Sequence, residues 1–154
     1  MMIVYVDGSV TGNPGGIVGY GWAIEGTDEQ GFGAAFQGGD SSTNNVAEYI
    51  AVAAALIHLL PFMDYNNVGS IIIRSDSELV VHQINGEWRV KHANLKPVAA
   101  VVHMMIEELW NRGVTVTAEW IPREKNKVAD DLSRRAIKHQ LKERWPMSHR
   151  EGNA

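Results

Sequence analysis

Four acidic residues, Asp7, Glu48, Asp76 and Asp130, stand in or beside apolar segments, where a carboxylate needs a compensating partner. Asp7 lies within the run Met2 to Val10, rich in Ile, Val and Tyr. An unpaired carboxylate there would cost several kcal/mol or take up a proton, so Asp7 reads as a metal ligand, an ion-pair member or a strand-end group reaching water. Asp76 follows Ile71-Ile72-Ile73-Arg74-Ser75, at the C-terminal end of a strand where α/β sheets gather ligands, and reads equally as the N-cap of the next helix. Glu48 falls in the first turn or so of a helix, a place the helix dipole alone favours for negative charge. On the last helix the apolar stripe is Ala129, Leu132, Ser133 and Ala136. At about 100° per residue, Asp130 flanks that stripe and Asp131 points nearly away from it into solvent. Carboxylates drawn from four elements, with no thiolate and no histidine cluster, suit hard cations bound through oxygen, magnesium first. Two such ions about 4 Å apart activate a water and stabilise the leaving oxygen in phosphodiester cleavage. The ions would also reverse the sign of the site and so let it accept a phosphate.

The elements that must position these groups can be read from periodicity. Met2 to Val10 suits a central strand buried on both faces, and the cluster Thr11 to Gly16 is a strong turn signal. Ile17 to Glu25 and Gly31 to Gln37 read as further strands joined by a hairpin at Gly26 to Gln30. Connections this short join antiparallel neighbours. Ser41 to Asn45 offers several N-cap residues for a helix over Val46 to Leu60, stopped by Pro61. Ile71 to Ser75 is a buried strand, Asp76-Ser77 opens a short helix to Ile84, and Leu95 to Asn111 is a third helix with Val98, Val101, Val102, Met105, Ile106 and Leu109 on its apolar face. Val114 to Ile121 is the fifth strand, Pro122 to Asn126 a loop, and Lys127 to Glu143 the last helix. Three antiparallel strands followed by alternating helix and strand give a mixed five-stranded α/β sheet, the last two strands parallel additions, with helices on its faces. Residues 1–143 are expected to form one domain and 144–154 a polar, flexible tail.

Length and composition agree. At 154 residues, 45% hydrophobic and 21% charged, the chain reads as folded and soluble, and the run Met2 to Val6 is far too short for a bilayer span or a secretory core. The absence of cysteine excludes disulfides, thiolate zinc and cysteine nucleophiles, and fits a cytoplasmic protein. The net charge of −4 is unusual for a phosphate-binding protein, but it is unevenly spread. Residues 1–122 carry a balance of −8 and residues 123–154 a balance of +4. The basic C-terminal part reads either as a solvated helix or as a phosphate contact. The six histidines have no ligand spacing, and Trp22, Trp110 and Trp120 are expected in the core. Trp88, beside Arg89 and Lys91, either stacks on a nucleic-acid strand or packs partly buried.

These residues resemble a known family. Tyr5-Val6-Asp7-Gly8-Ser9, Gly12-Asn13-Pro14-Gly15, Thr43-Asn44-Asn45-Val46-Ala47-Glu48, Ser75-Asp76-Ser77 and Ala129-Asp130-Asp131-Leu132 resemble the type 1 ribonuclease H motifs in order and spacing, from residue 3 to about residue 138. The resemblance implies the ribonuclease H-like fold and an endonuclease that cuts the RNA strand of an RNA/DNA hybrid, leaving 5′-phosphate and 3′-hydroxyl ends. It implies Asp7, Glu48, Asp76 and Asp130 as catalytic ligands of two Mg2+ ions, with Mn2+ a substitute. It places Asn13, Asn44 and Asn45 at nucleic-acid-contacting positions, the RNA strand being recognised through its 2′-hydroxyls, although the same asparagines serve as turn and cap residues. The hybrid duplex is the expected partner, double-stranded RNA is left open as a second, and the protein is expected to work as a monomer with no membrane contact.

Three departures from the family pattern stand out. Many members carry a histidine before the last helix, where this chain reads Ile121-Pro122-Arg123-Glu124-Lys125-Asn126; Arg123 is the candidate substitute, or a solvated loop charge. Many carry a long basic protrusion after the Asp76 helix, where this chain has only Asn85 to His92, as in a shorter archaeal and bacterial branch. That leaves Arg89, Lys91, Lys96 and the basic last helix to hold phosphates. Glu78 stands where some relatives have an RNA-contacting glutamine. The competing readings are a DNA nuclease or strand-transfer enzyme of the same fold, and an inactive hybrid-binding module.

Overall fold

The computed structural model describes residues 1–12, 16–36, 43–63 and 69–144. The apolar run at the start forms strand β1 (Met2–Val10), followed by β2 (Ile17–Ile24) and β3 (Gln30–Phe36), each antiparallel to the one before. Helix α1 (Asn44–Leu59) then leads to β4 (Ser70–Ser75), parallel to β1. After α2 (Glu78–Ile84) and α3 (Lys96–Asn111), β5 (Thr115–Trp120) adds parallel to β4, and α4 (Lys127–Arg144) ends the described chain. The sheet order β3-β2-β1-β4-β5 puts β1 at the centre, as its unbroken apolar character requires.

Alternation along β1 divides the molecule into layers. Val4 and Val6 are fully buried in the core beneath α1 and α3, together with their β2 partners Ile24 and Trp22. Asp7 and its partner Gly21 point to the opposite face, where α4 lies. Glycines admit both helices. A Cβ on Gly8 would sit 2.2 Å from the backbone carbon of Ala47 in α1, and one on Gly21 would meet Leu132 and Ala129 of α4 within 2.7 Å. Both helices therefore ride on backbone rather than on side chains, and the acidic residues they carry come within reach of β1.

The segment Asn44–Phe62 is long and apolar enough to cross a membrane. Here its apolar character serves the core, since Val46, Tyr49, Val52, Leu56 and Leu59 are buried. A hydrogen bond of 2.7 Å from the Tyr49 hydroxyl to Gln83 ties α1 to α2, and burial pushes the Tyr49 hydroxyl up to about 12.

Two tryptophans expected in the core are on the surface. Trp110 is 66% exposed because it follows Leu109, which holds the buried stripe of α3, and so is turned about 100° away from it. Val101, counted on the apolar face, is exposed for a similar reason: Ala99, Val102 and Leu109 carry that face. Trp120 ends the edge strand β5 and is 52% exposed, with its ring nitrogen donating to the carbonyl of Asp76 at 3.2 Å. Trp22 is buried as expected and packs on His58.

Candidate active site

The register between β1 and β4 pairs Tyr5 with Arg74, so two residues further on Asp7, within β1, and Asp76, just past β4, stand level where the parallel pairing ends. β4 ends at Ser75 while β1 continues to Val10. Glu48 reaches from α1 into that opening. Its Oε1 accepts the Gly8 amide at 3.1 Å and its Oε2 accepts the Ser75 hydroxyl at 3.2 Å. On the other face the Ser133 hydroxyl of α4 donates to Asp7 Oδ2 at 2.9 Å. One carboxylate oxygen from each of Asp7, Glu48 and Asp76 lies within 4.8 Å of the others.

The geometry shows which residues cap the helices and which line the pocket. Asp76 does not cap α2, because the Ser77 hydroxyl does so by accepting the Val80 amide, and the Asp76 carboxylate lines the pocket instead. Glu48 is 6% exposed, a burial that the dipole of its own helix does not explain. Thr43 caps α1, which leaves Asn44 at the first helical position, lining the same pocket. Asn45 is half-buried one residue on. Asn13 lies outside the described residues.

Asp130 comes to the same pocket but stands at its rim. Its Oδ1 accepts from Arg134 Nε at 3.2 Å, and Arg123 Nη2 lies 4.0 Å away. Asp131 is exposed, as the helical phase predicts. Asn126 anchors the start of α4 by donating to the Val6 carbonyl at 2.8 Å, and the Asn126 carbonyl accepts the Asp130 amide at 3.0 Å. The supporting residues Ser75, Asn126, Ser133 and Arg134 had escaped the sequence reading. A signal for Arg134 was available, since a cation four residues after an aspartate on a helix is a favoured pair.

The electrostatics express the crowding of negative charge. Burial raises the Asp7 carboxyl from 3.8 to about 7, helped by the charges of Asp76 and Asp130 and opposed by its hydrogen bonds. Glu48 is pushed well above its ordinary value, first by burial and then by Asp7 and Asp76. The interaction between these two carboxyls lowers Asp7 and raises Glu48. Asp76 is raised by burial, against the pull of Arg123. An all-oxygen set of carboxylates that resist ionisation together is suited to a hard divalent cation, which would supply the positive charge the interior lacks. Asp7, Glu48 and Asp76 are the residues that would hold it.

Of the expected substrate contacts among the described residues, Arg123 alone joins Asn44 in lining this pocket. Trp88 and Lys91 line a separate cleft after α2. The Trp88 ring is 45% exposed and stacks on His82 with centroids 4.2 Å apart, so His82 covers one of its faces. Lys96 is exposed at the first position of α3.

The difference between neighbouring aspartates yields a direct test. Asp130→Asn is expected to lower kcat by about 10- to 100-fold, and Asp131→Asn to leave it within about twofold, because the first removes charge from the pocket and the second only from solvent. Steady-state cleavage rates of the two variants would check this.

Comparison with known proteins places this arrangement. The reverse transcriptase-like family matches residues 6–136. LC11-RNase H1, isolated from compost by a metagenomic approach and solved in complex with an RNA/DNA hybrid, is 34% identical, with a TM-score of 0.80 over 92% of this chain and 99% of that one. Ribonuclease HI of Halobacterium salinarum is 32% identical over 86% of this chain and 62% of its own length. The bifunctional protein Rv2228c of Mycobacterium tuberculosis is 31% identical over 88% of this chain, which spans 35% of that protein. The chain thus covers about a third of the length of its mycobacterial relatives. With its sheet order, its acidic cluster and the extent of these matches in agreement, the chain belongs to the reverse transcriptase-like family, in the type 1 ribonuclease H branch.

Proposed function

We propose that the protein is an endoribonuclease that hydrolyses the RNA strand of RNA/DNA hybrids with two divalent ions, leaving 5′-phosphate and 3′-hydroxyl ends. The observation that carries this reading is the gathering of one carboxylate oxygen each from Asp7, Glu48 and Asp76 within 4.8 Å, two of these residues buried, where the parallel pairing of β1 and β4 ends. A relative solved with an RNA/DNA hybrid supports the choice of substrate. When bound, divalent ions supply the Lewis acidity that activates the attacking water and stabilises the leaving 3′-oxygen. The chain's own residues do the rest. Asp7 and Glu48 would hold the ions as carboxylates, with any proton they carry released to solvent, and Ser133, Ser75 and the Gly8 amide hold them in place. Asn44 faces the bound strand. Arg123, 68% exposed at the rim, neutralises phosphate charge. A guanidinium does not titrate near neutral pH, so in place of the family's histidine Arg123 serves substrate or product binding rather than proton transfer.

The test is one assay of labelled RNA/DNA, RNA/RNA and DNA/DNA duplexes with magnesium, manganese, calcium or chelator. Magnesium and manganese are expected to support cutting of RNA in the hybrid. Calcium is expected to allow binding with little turnover, because its looser coordination positions the attacking water less strictly. Cleavage in chelator, efficient turnover with calcium or preferential cutting of DNA/DNA would overturn the proposal, and the RNA/RNA arm decides the breadth of substrate.

A further inference from the structure

The carboxylate pocket does not end at Asp130. Ser9, Val10 and Arg134 line it, and the same three residues line a second cleft of about 440 Å3, walled by Ile137 and Lys138 of α4. The two clefts form one continuous groove. Asp130, Arg134 and Lys138 of α4 line these two clefts, and their four-residue spacing continues to Lys142 beyond them. That spacing makes a row with steps of about 6 Å, winding about 40° per step, close to the separation of successive phosphates on a nucleic-acid strand.

The three cations of this row are exposed, whereas the opposite side of α4 is committed to packing through Ala129, Leu132, Ser133 and Ala136. Ser9, at the junction of the two clefts, has a buried hydroxyl with no hydrogen-bond partner. The row also lies in the part of the sequence, residues 123–154, that carries a positive balance in an otherwise acidic chain. Arg134 sits on Asp130, so positive charge follows the carboxylate site without a break.

We propose that the Ser9–Lys138 groove is a second phosphate-binding subsite, holding the sugar-phosphate backbone of the substrate about two phosphates from the one that is cut. This rests on the nucleic-acid reading of the site but adds a location that the carboxylates do not define. The groove runs from the acidic pocket toward the C-terminal end of α4. Its occupant is the phosphodiester chain itself, met by charge and not by base.

The experiment compares the wild-type protein with Lys138→Ala, Lys142→Ala and, as a charge-matched control on the same helix, Arg135→Ala, whose guanidinium lies over the Phe32 ring 5.8 Å from its centroid. Hybrid affinity is measured in calcium across a salt series, and kcat and KM in magnesium. Lys138→Ala and Lys142→Ala are each expected to raise KM about threefold to tenfold and to flatten the log-log salt slope by about 0.9, with kcat held and Arg135→Ala near wild type. Equal effects at all three positions would mean diffuse attraction and overturn the subsite. A fall in kcat at Lys138→Ala with KM unchanged would overturn it too. Failure of the wild type to cut any hybrid would instead strike the activity, while the binding slopes still decide the groove.

Discussion

Asp7→Asn is expected to lower kcat by about 1,000-fold or more, because loss of one ligand charge removes several kcal/mol of transition-state stabilisation and each ~1.4 kcal/mol is tenfold. The same change should make the metal-free protein more stable above neutral pH. Burial raises the folded-state carboxyl from 3.8 to about 7, so the folded protein holds this proton more tightly than the unfolded chain. The associated stability is fully present below the unfolded value and is lost as pH rises through about 7. Asparagine carries no proton to lose and escapes that loss. Its shape also suits the site, since its amide oxygen can accept from Ser133 and its amide nitrogen can donate to Glu48. Thermal unfolding in chelator checks this: the variant should match wild type near pH 4 and exceed it by several degrees near pH 8. Added magnesium should then raise the wild-type midpoint more than the variant's, since only the wild type keeps the full ligand set. A variant that unfolds more easily at both pH values would mark Asp7 as a structural carboxylate.

Gly8→Ala is expected to cost both fold and function. The new Cβ would stand 2.2 Å from the Ala47 carbonyl carbon and 2.5 Å from the Glu48 amide, against backbone that cannot turn aside as a side chain could. α1 must therefore move off β1. Overpacking of this severity costs about 3 kcal/mol, which for a domain of this size is a fall of about 10 °C in Tm. The shift also carries Glu48 away from Asp7 and strains its bond to the Gly8 amide, and a displacement of about 1 Å at a catalytic group is enough for a loss of about 100-fold. Activity should be measured well below the new Tm, so that it reports geometry and not unfolding. Gly69→Ala is the control, because a Cβ there meets nothing within 4 Å and should change neither property. If Gly8→Ala kept wild-type activity and stability, the close seat of α1 on β1 would not be what positions Glu48.

Much of this site was legible from residue type and order alone. An aspartate inside an apolar strand had to have a partner, because its charge is too costly there otherwise. Short, glycine-rich connections forced β1, β2 and β3 to be antiparallel, and the later helix-strand alternation forced the parallel additions. The amphipathic phase of α4 separated Asp130 from Asp131, since a helix face is set by neighbours three and four residues apart. All of these are local rules, and local sequence determines them.

What the chain could not disclose by itself concerns partners far apart along it. Whether Asp76 or Ser77 caps α2 depends on where the Asp76 carboxylate finds other carboxylates, and Glu48 is contributed by a different helix. Ser133 meets Asp7 across 126 positions, and Asn126 meets Val6 across 120. The burial of a tryptophan likewise follows from its neighbours, not its type, so Trp22 entered the core while Trp110 and Trp120 did not. Nothing in the strand pattern tells that Gly8 and Gly21 are the places where α1 and α4 rest on the sheet. Tertiary packing decided these features because each is a contact between surfaces that come together only when the sheet has formed, and no periodicity within one segment encodes its partner.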